Sequence, residues 1–401
     1  MTRRERVLTA LHHREADRLP VDLGAMDSTG ITGLAYNRLK THLGLPPGET
    51  RIYDPYQQVA EVERAVLERI GADALPVFSG PREWKAGQLP DGSPCLLPKK
   101  WNPVALEDGS EVVRDGEGIV RARRPAGGYY FEPVHPPLAS AASPAEIEAN
   151  LGPILEFDQP SYCDESYAEV GERARRLFEE TDYALMGNFA VHLYAAGQLL
   201  RGYEQFLVDL VAEKALAHCL LEHLTQTFLE RFDRFHQALG PHVQIINVND
   251  DLGMETSLML SPALYREMIK PYQERLYGHV KRTSGAFLFL HTDGSVYEVI
   301  PDLIEIGADI LDPIQWRCAG MDREGLKKDF GDKLIFHGAV DNQQTLPFGT
   351  TEDVRQEVRD NLRILGEGGG YILGPCHNHQ AVTPPENIVA MYEEGYESGW
   401  C

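Results

Sequence analysis

Basic residues are scarce in this chain: Lys and Arg total 38 against 61 Asp and Glu, a net charge of −23. Nucleic-acid phosphates demand a basic footprint, so no nucleic-acid partner is expected. Anionic membrane surfaces are excluded on the same ground. No apolar run approaches membrane-spanning length, which excludes a helical span. Cysteine is sparse too. The six, at positions 95, 163, 219, 318, 376 and 401, form no CxxC pair and no regular spacing. That argues against a disulfide framework and for a reducing compartment. The opening stretch, residues 1–11, lacks the apolar centre of a signal peptide and reads as an amphipathic helix. The expected setting is cytoplasmic.

What is present is ordinary globular material, 43% hydrophobic and 25% charged over 401 residues, enough for one large α/β barrel. Short, near-continuous apolar runs mark eight strands at Leu19–Gly24, Ala72–Phe78, Tyr183–Gly187, Val243–Val248, Phe287–His291, Asp309–Asp312, Leu334–His337 and Tyr371–Gly374. Continuous rather than alternating hydrophobicity suits strands covered on both faces. Amphipathic stretches lie between them: Asp54–Ile70, Ser166–Glu180, Tyr203–Leu239, Pro262–Thr283, Val296–Ile306, Arg323–Phe330, Thr351–Leu365 and Pro385–Glu394. Eight strand–helix alternations predict an α/β fold, a (β/α)8 TIM barrel spanning residues 1–401 as a single domain.

One segment breaks the rhythm. Residues 79–160 are rich in Pro and Gly, with Asp91-Gly92, Asp108-Gly109 and Asp115-Gly116 as turn signals. These predict β-hairpins in an insertion after the second strand that caps the barrel mouth.

In such a barrel the carboxyl ends of the strands converge on one mouth. Nearly every strand end here carries a titratable or amide side chain. With Ser79 after the second strand, the polar strand-end residues in chain order are Asp22, Asp27, Ser79, Asn188, His192, Asn247, Asn249, Asp250, Asp251, His291, Asp293, Asp312, His337, Asp341, Cys376, His377 and His379. Asp and Asn also cap helices, so each has a structural alternative. His291 and Asp293 lie two apart at a strand end and project to one side, within reach of one ion. With Cys376 they form a mixed N, O and S set of the kind zinc accepts, a fourth position staying open for chemistry. The alternative is a His–Asp hydrogen bond and a packing cysteine. His377 and His379 project together, as further ligands or as anion-binding groups. His337 and Asp341 have the polarity of a general acid/base pair, and the Asp250-Asp251 doublet would raise one carboxyl's pKa by repulsion. Asp22, Asn188, His192, Asp251, Asp312, His377 and His379 are the candidate substrate-binding set, with Asp250 joining His337 and Asp341 as candidate catalytic groups.

Several stretches resemble the uroporphyrinogen decarboxylase superfamily. They are residues 3–11, Asp17–Asp22, Ser261–Tyr265, Ile269–Tyr272, His291–Ser295, Ile306–Pro313 and Pro384–Ile388. The resemblance implies the same barrel. Porphyrinogen decarboxylases carry arginines near the first strand to hold substrate carboxylates, whereas residues 21–29 here contain none. Their aspartate after the second strand is replaced by Phe78-Ser79-Gly80. The chain is more similar to methylcobamide:thiol methyltransferases, whose zinc is held by a His-x-Cys pair and a later Cys. His291 and Cys376 match two of these ligands, and Asp293 stands where the first Cys would be. A carboxylate there leaves zinc more Lewis-acidic and a bound thiolate less electron-rich.

The resemblance implies a zinc-dependent methyltransferase moving a methyl group between a corrinoid and a small thiol or hydroxyl. The expected cofactors are zinc and a corrinoid. The expected partners are a small-molecule substrate and a corrinoid protein, with a homodimer left open. The alternative is a metal-independent decarboxylase or lyase acting on a small carboxylic acid; a non-catalytic binding barrel is a third reading.

Overall fold

The computed structural model describes residues 1–400. Its centre is a seven-stranded parallel sheet whose spatial order follows the chain. The strands are β1 (Ala74–Val77), β2 (Ala184–Asn188), β3 (Ile245–Asn249), β4 (Phe287–His291), β5 (Ile310–Asp312), β6 (Ile335–Val340) and β7 (Tyr371–Pro375). The sheet curls until its two edges meet one short segment. On the β7 side, Leu373 N–H donates to Pro20 O (2.9 Å) and Asp22 N–H to Leu373 O (2.8 Å). On the β1 side, Asp73 N–H donates to Val21 O at 2.8 Å.

Buried ion pairing holds that closing segment. Asp73 is fully buried and receives Arg6 Nη1 on Oδ1 (2.8 Å) and Arg18 Nη1 on Oδ2 (2.8 Å). It also accepts the Val21 N–H at 2.9 Å. Helix Arg3–Leu11, capped by a reciprocal Thr2–Glu5 pair, turns Val7 and Leu11 into the amino-terminal end of the curled sheet. They pack with Ala74, Ala184, Met186, Ile245, Phe289, Ile310, Ile335 and Ile372 as an apolar floor. Helices cover the convex face over one contiguous core.

Several helices are shorter than their sequence patterns predict. The stretch Pro262–Thr283 is two helices, Pro262–Met268 and Lys270–Ser284, because Pro271 has no N–H to continue the ladder. Pro301 similarly opens a short helix, Ile300–Glu305. The pattern from Asp54 to Ile70 yields only helix Arg64–Ile70. Its first part is a strand, Ile52–Asp54, paired with Val59–Ala60, since Asp54 Oδ1 accepts the Tyr56 N–H (2.9 Å) across an Asx turn.

Between β1 and β2 lie two small antiparallel sheets. Trp84–Gln88 pairs with Pro94–Pro98. Val104–Ala105, Glu111–Arg114, Val120–Arg124 and Glu132–Pro133 form the other. Gly92, Gly109 and Gly118 take positive φ (81°, 78° and 83°) at the turns, where a side chain would be strained. Among the described residues no helix is long and apolar enough to cross a membrane.

Candidate metal centre at the strand ends

Side chains of a strand alternate between faces, so every second residue faces the inside of the curled sheet. Above the apolar floor the inward positions turn polar: Asn188 on β2, Asn247 and Asn249 on β3, His291 on β4, Asp312 on β5 and His337 on β6. This chemical switch within single strands places a buried ionisable layer at their carboxyl ends.

Asp312 is the hub of that layer. Its Oδ2 accepts from His291 Nδ1 at 2.7 Å and its Oδ1 from His337 Nδ1 at 2.7 Å. His337 Nε2 in turn lies 3.3 Å from Asp22 Oδ2. All four side chains are at least nine-tenths buried. Burial opposes charge on His337, but the Asp312 charge and the Asp22 carboxylate outweigh it and push the ring up to about 9. His291 behaves alike: burial is overcome by its hydrogen bond to Asp312 and the charge of Asp293, up to about 10.

With Nδ1 anchored on Asp312, His291 turns Nε2 toward the rim. There it meets Ser28 Oγ (3.4 Å), Asp251 Oδ1 (3.9 Å) and Asp293 Oδ2 (4.0 Å). Ligand atoms of His291, Asp293 and His377 all lie within 4.8 Å of one another. The two imidazoles sit 6.1 Å apart, edge to face. Asp251 Oδ1 accepts the Asp293 N–H at 3.0 Å and steadies that turn.

Cys376 is outside this group. Its thiol points across β6, with Sγ 3.4 Å from Ile314 O, and burial pushes its pKa well up. The strand ends at Pro375, so strict two-residue alternation no longer governs the next side chains, and His377 rather than Cys376 reaches His291. His379 diverges from His377. It packs fully buried against the outer helix Pro385–Ser398, with Nε2 3.1 Å from Tyr392 Oη.

Two expected catalytic carboxylates are structural here. Asp341 does not pair with His337; its oxygens accept N–H groups of Gln343, Gln344 and Thr345 (3.0–3.1 Å) and Arg317 Nε (2.8 Å). Asp250 is fully buried and accepts N–H groups of Leu193, Tyr194 and Ala195 and Gln273 Nε2, which caps helix Tyr194–Arg201. Asn188 anchors Nδ2 on Ala25 O (3.0 Å). His192 faces the Asp158 carboxyl, which burial raises.

Sequence reasoning passed over Ser28, Asp54 and Asp158. Burial and then the nearby Asp27 push Asp54 up to about 7. The only signal for Ser28 is its place in the polar run Asp27-Ser28-Thr29 after the closing segment.

The family described as uroporphyrinogen decarboxylase (URO-D) matches residues 156–397. A uroporphyrinogen decarboxylase of Anaeromyxobacter is 24% identical, covering 98% of this chain and 99% of its own. One from Thermus thermophilus is 25% identical, covering 66% of this chain and 77% of its own. Among solved structures, a methyltransferase from Methanosarcina mazei superposes with a TM-score of 0.60 at 18% identity, covering 99% of both chains. At that identity the likeness is one of fold.

Proposed function

Because the chain belongs to the uroporphyrinogen decarboxylase family, we propose that it is a (β/α)8 barrel enzyme of the metal-dependent methyltransferase type. Pro20–Asp22 serves as the eighth stave, and the β-rich insertion of residues 79–160 caps the mouth. The single observation that carries this reading is the convergence of His291, Asp293 and His377 within 4.8 Å, with His291 oriented from behind by Asp312 at 2.7 Å.

These residues fit a zinc-class ion. Two imidazoles and a carboxylate are all ligands that zinc accepts, and three of them leave a fourth position for substrate. A histidine whose other nitrogen donates to a carboxylate is the usual support of a metal ligand. Asp293 Oδ1 is buried and has no hydrogen-bond partner among the described residues. When bound, the ion would supply Lewis acidity to a thiol or hydroxyl acceptor.

The chain's own residues have definite tasks in this reading. Asp312 fixes the His291 ring so that Nε2 faces the rim. His337, charged and held between Asp312 and Asp22, keeps the Asp312 carboxylate in place and is a positioning group rather than a base. Ser28 and Asp251 line the approach to His291 Nε2. The insertion excludes water and offers a surface to the methyl carrier, a corrinoid by family resemblance.

The relatives are named as decarboxylases of a porphyrinogen, and a metal-independent decarboxylase is the second reading. The rim weighs against a polycarboxylate substrate, since Asp251 and Asp293 stand at the strand ends and residues 21–29 contain no arginine. Metal analysis of untagged protein separates the two. About one equivalent of zinc in the wild type, lost in His291→Ala and His377→Ala, supports the methyltransferase reading. Absence of stoichiometric metal, with activity indifferent to chelators, overturns it.

A further inference from the structure

The inward side of β2 and β3 bears a feature that the metal site does not use. Asn188 and Asn247 are register partners on β2 and β3, and Asn249, next along β3, is the register partner of His291. The three amides therefore form a contiguous arc leading to the His291 rim. Asn247 is fully buried and Asn249 is 5% exposed.

In each of the three the Oδ1 atom is buried with no hydrogen-bond partner among the described residues. The orientation of two amides is set from the other side. Asn188 Nδ2 donates to Ala25 O (3.0 Å) and Asn247 Nδ2 faces Met26 Sδ (4.0 Å), so the oxygens are the atoms left over. Three unpaired amide oxygens lie along one arc, and buried acceptors of this kind call for donors.

Charge points the same way. The strand-end stretches 286–294 and 371–381 contain no Lys or Arg. Asp251 stands on the rim beside Asp293, and burial, with Asp27 nearby, raises the carboxyls of Asp54 and Asp158. A ligand bearing an anion would add to this excess, whereas a cation rich in N–H groups would relieve it and satisfy the amide oxygens together.

We infer that the strand ends recognise a substrate through a protonated primary or secondary amine, seated on the Oδ1 atoms of Asn188, Asn247 and Asn249. The inference rests on the proposed function only in taking these strand ends for the substrate site; it requires neither bound zinc nor methyl transfer. For an acceptor of the proposed type, the ammonium group lies along the arc and its thiol or hydroxyl at the His291 end.

The test is calorimetric titration of the full chain, metal-free and zinc-loaded, with three thiols that differ only in their second group. The probes are cysteamine, 2-mercaptoethanol and mercaptoacetate. Cysteamine is expected to bind about 10-fold or more tighter than either of the others in both forms. Asn247→Leu and Asn249→Leu should reduce that preference to within about 2-fold. If either variant fails to fold, the wild-type series decides alone. Mercaptoacetate binding as well as cysteamine, no measurable binding of any probe, or an undiminished preference in the folded variants overturns the inference. A protein that prefers cysteamine yet takes up no zinc keeps this inference and removes the metal reading.

Discussion

Replacing Asp312 by Asn would leave His291 and His337 with a neutral amide between them. His291 would lose the anchor that turns Nε2 to the rim, and supporting carboxylates of this kind are worth about 10–100-fold in metal affinity. Asp312→Asn should therefore hold zinc more weakly by that factor in a chelator competition, while Asp341→Asn, whose carboxylate only caps a turn and pairs with Arg317, should hold it as the wild type does. Asp54 supplies a pH test. Its folded value of about 7 stands above the ordinary 3.8. Between those values the native carboxyl keeps a proton that the unfolded chain loses, so this group makes stability fall as pH rises from about 4 to 7. Asp54→Asn should match the wild type near pH 4 and exceed it at pH 8 by on the order of 1–2 kcal/mol, allowing for partial exposure, as read from urea unfolding at the two pH values. A variant no more stable than the wild type at pH 8 would show that the carboxyl is not crowded. At this scale the sequence was least informative: polar strand ends were visible, but which side chain caps a helix and which meets His291 depends on where each strand stops. The adjacent Cys376 and His377 show this most directly.

The closing segment is the element on which the sheet's curl depends. The resemblance-bearing residues that hold it, Arg6, Asp17 and Arg18, are engaged away from the strand ends: Arg6 and Arg18 clasp Asp73, and Asp17 pairs with Arg6 Nε at 2.7 Å. Such residues secure the fold rather than the chemistry. Asp73→Ala would leave two arginines buried without their shared partner, a change expected to cost about 3–5 kcal/mol and to lower Tm without altering zinc stoichiometry in the folded fraction. A Tm within a degree or two of the wild type would show that the triad is dispensable. Most elements made of continuous apolar runs were legible, and β4 has the bounds Phe287–His291 that its composition indicates, but the run Leu19–Gly24, expected as a strand, forms only an isolated bridge at Val21. Elements interrupted by proline were not, because amphipathic spacing runs unchanged through Pro271 and Pro301 while the backbone ladder does not. Helix Tyr194–Arg201 went unread, since its start depends on Asp250 from a different strand end.

For the molecule as a whole, an apolar floor and a polar ionisable layer occupy successive inward positions of the same strands. The proposed account turns on the identity of the third candidate metal ligand, which X-ray absorption at the zinc edge of substrate-free protein reads directly. A first shell of nitrogen and oxygen only, near 2.0–2.1 Å, is the predicted result, from His291, Asp293 and His377. A sulfur scatterer near 2.3 Å, abolished in Cys376→Ala, would contradict it, as would a protein that binds no zinc at all.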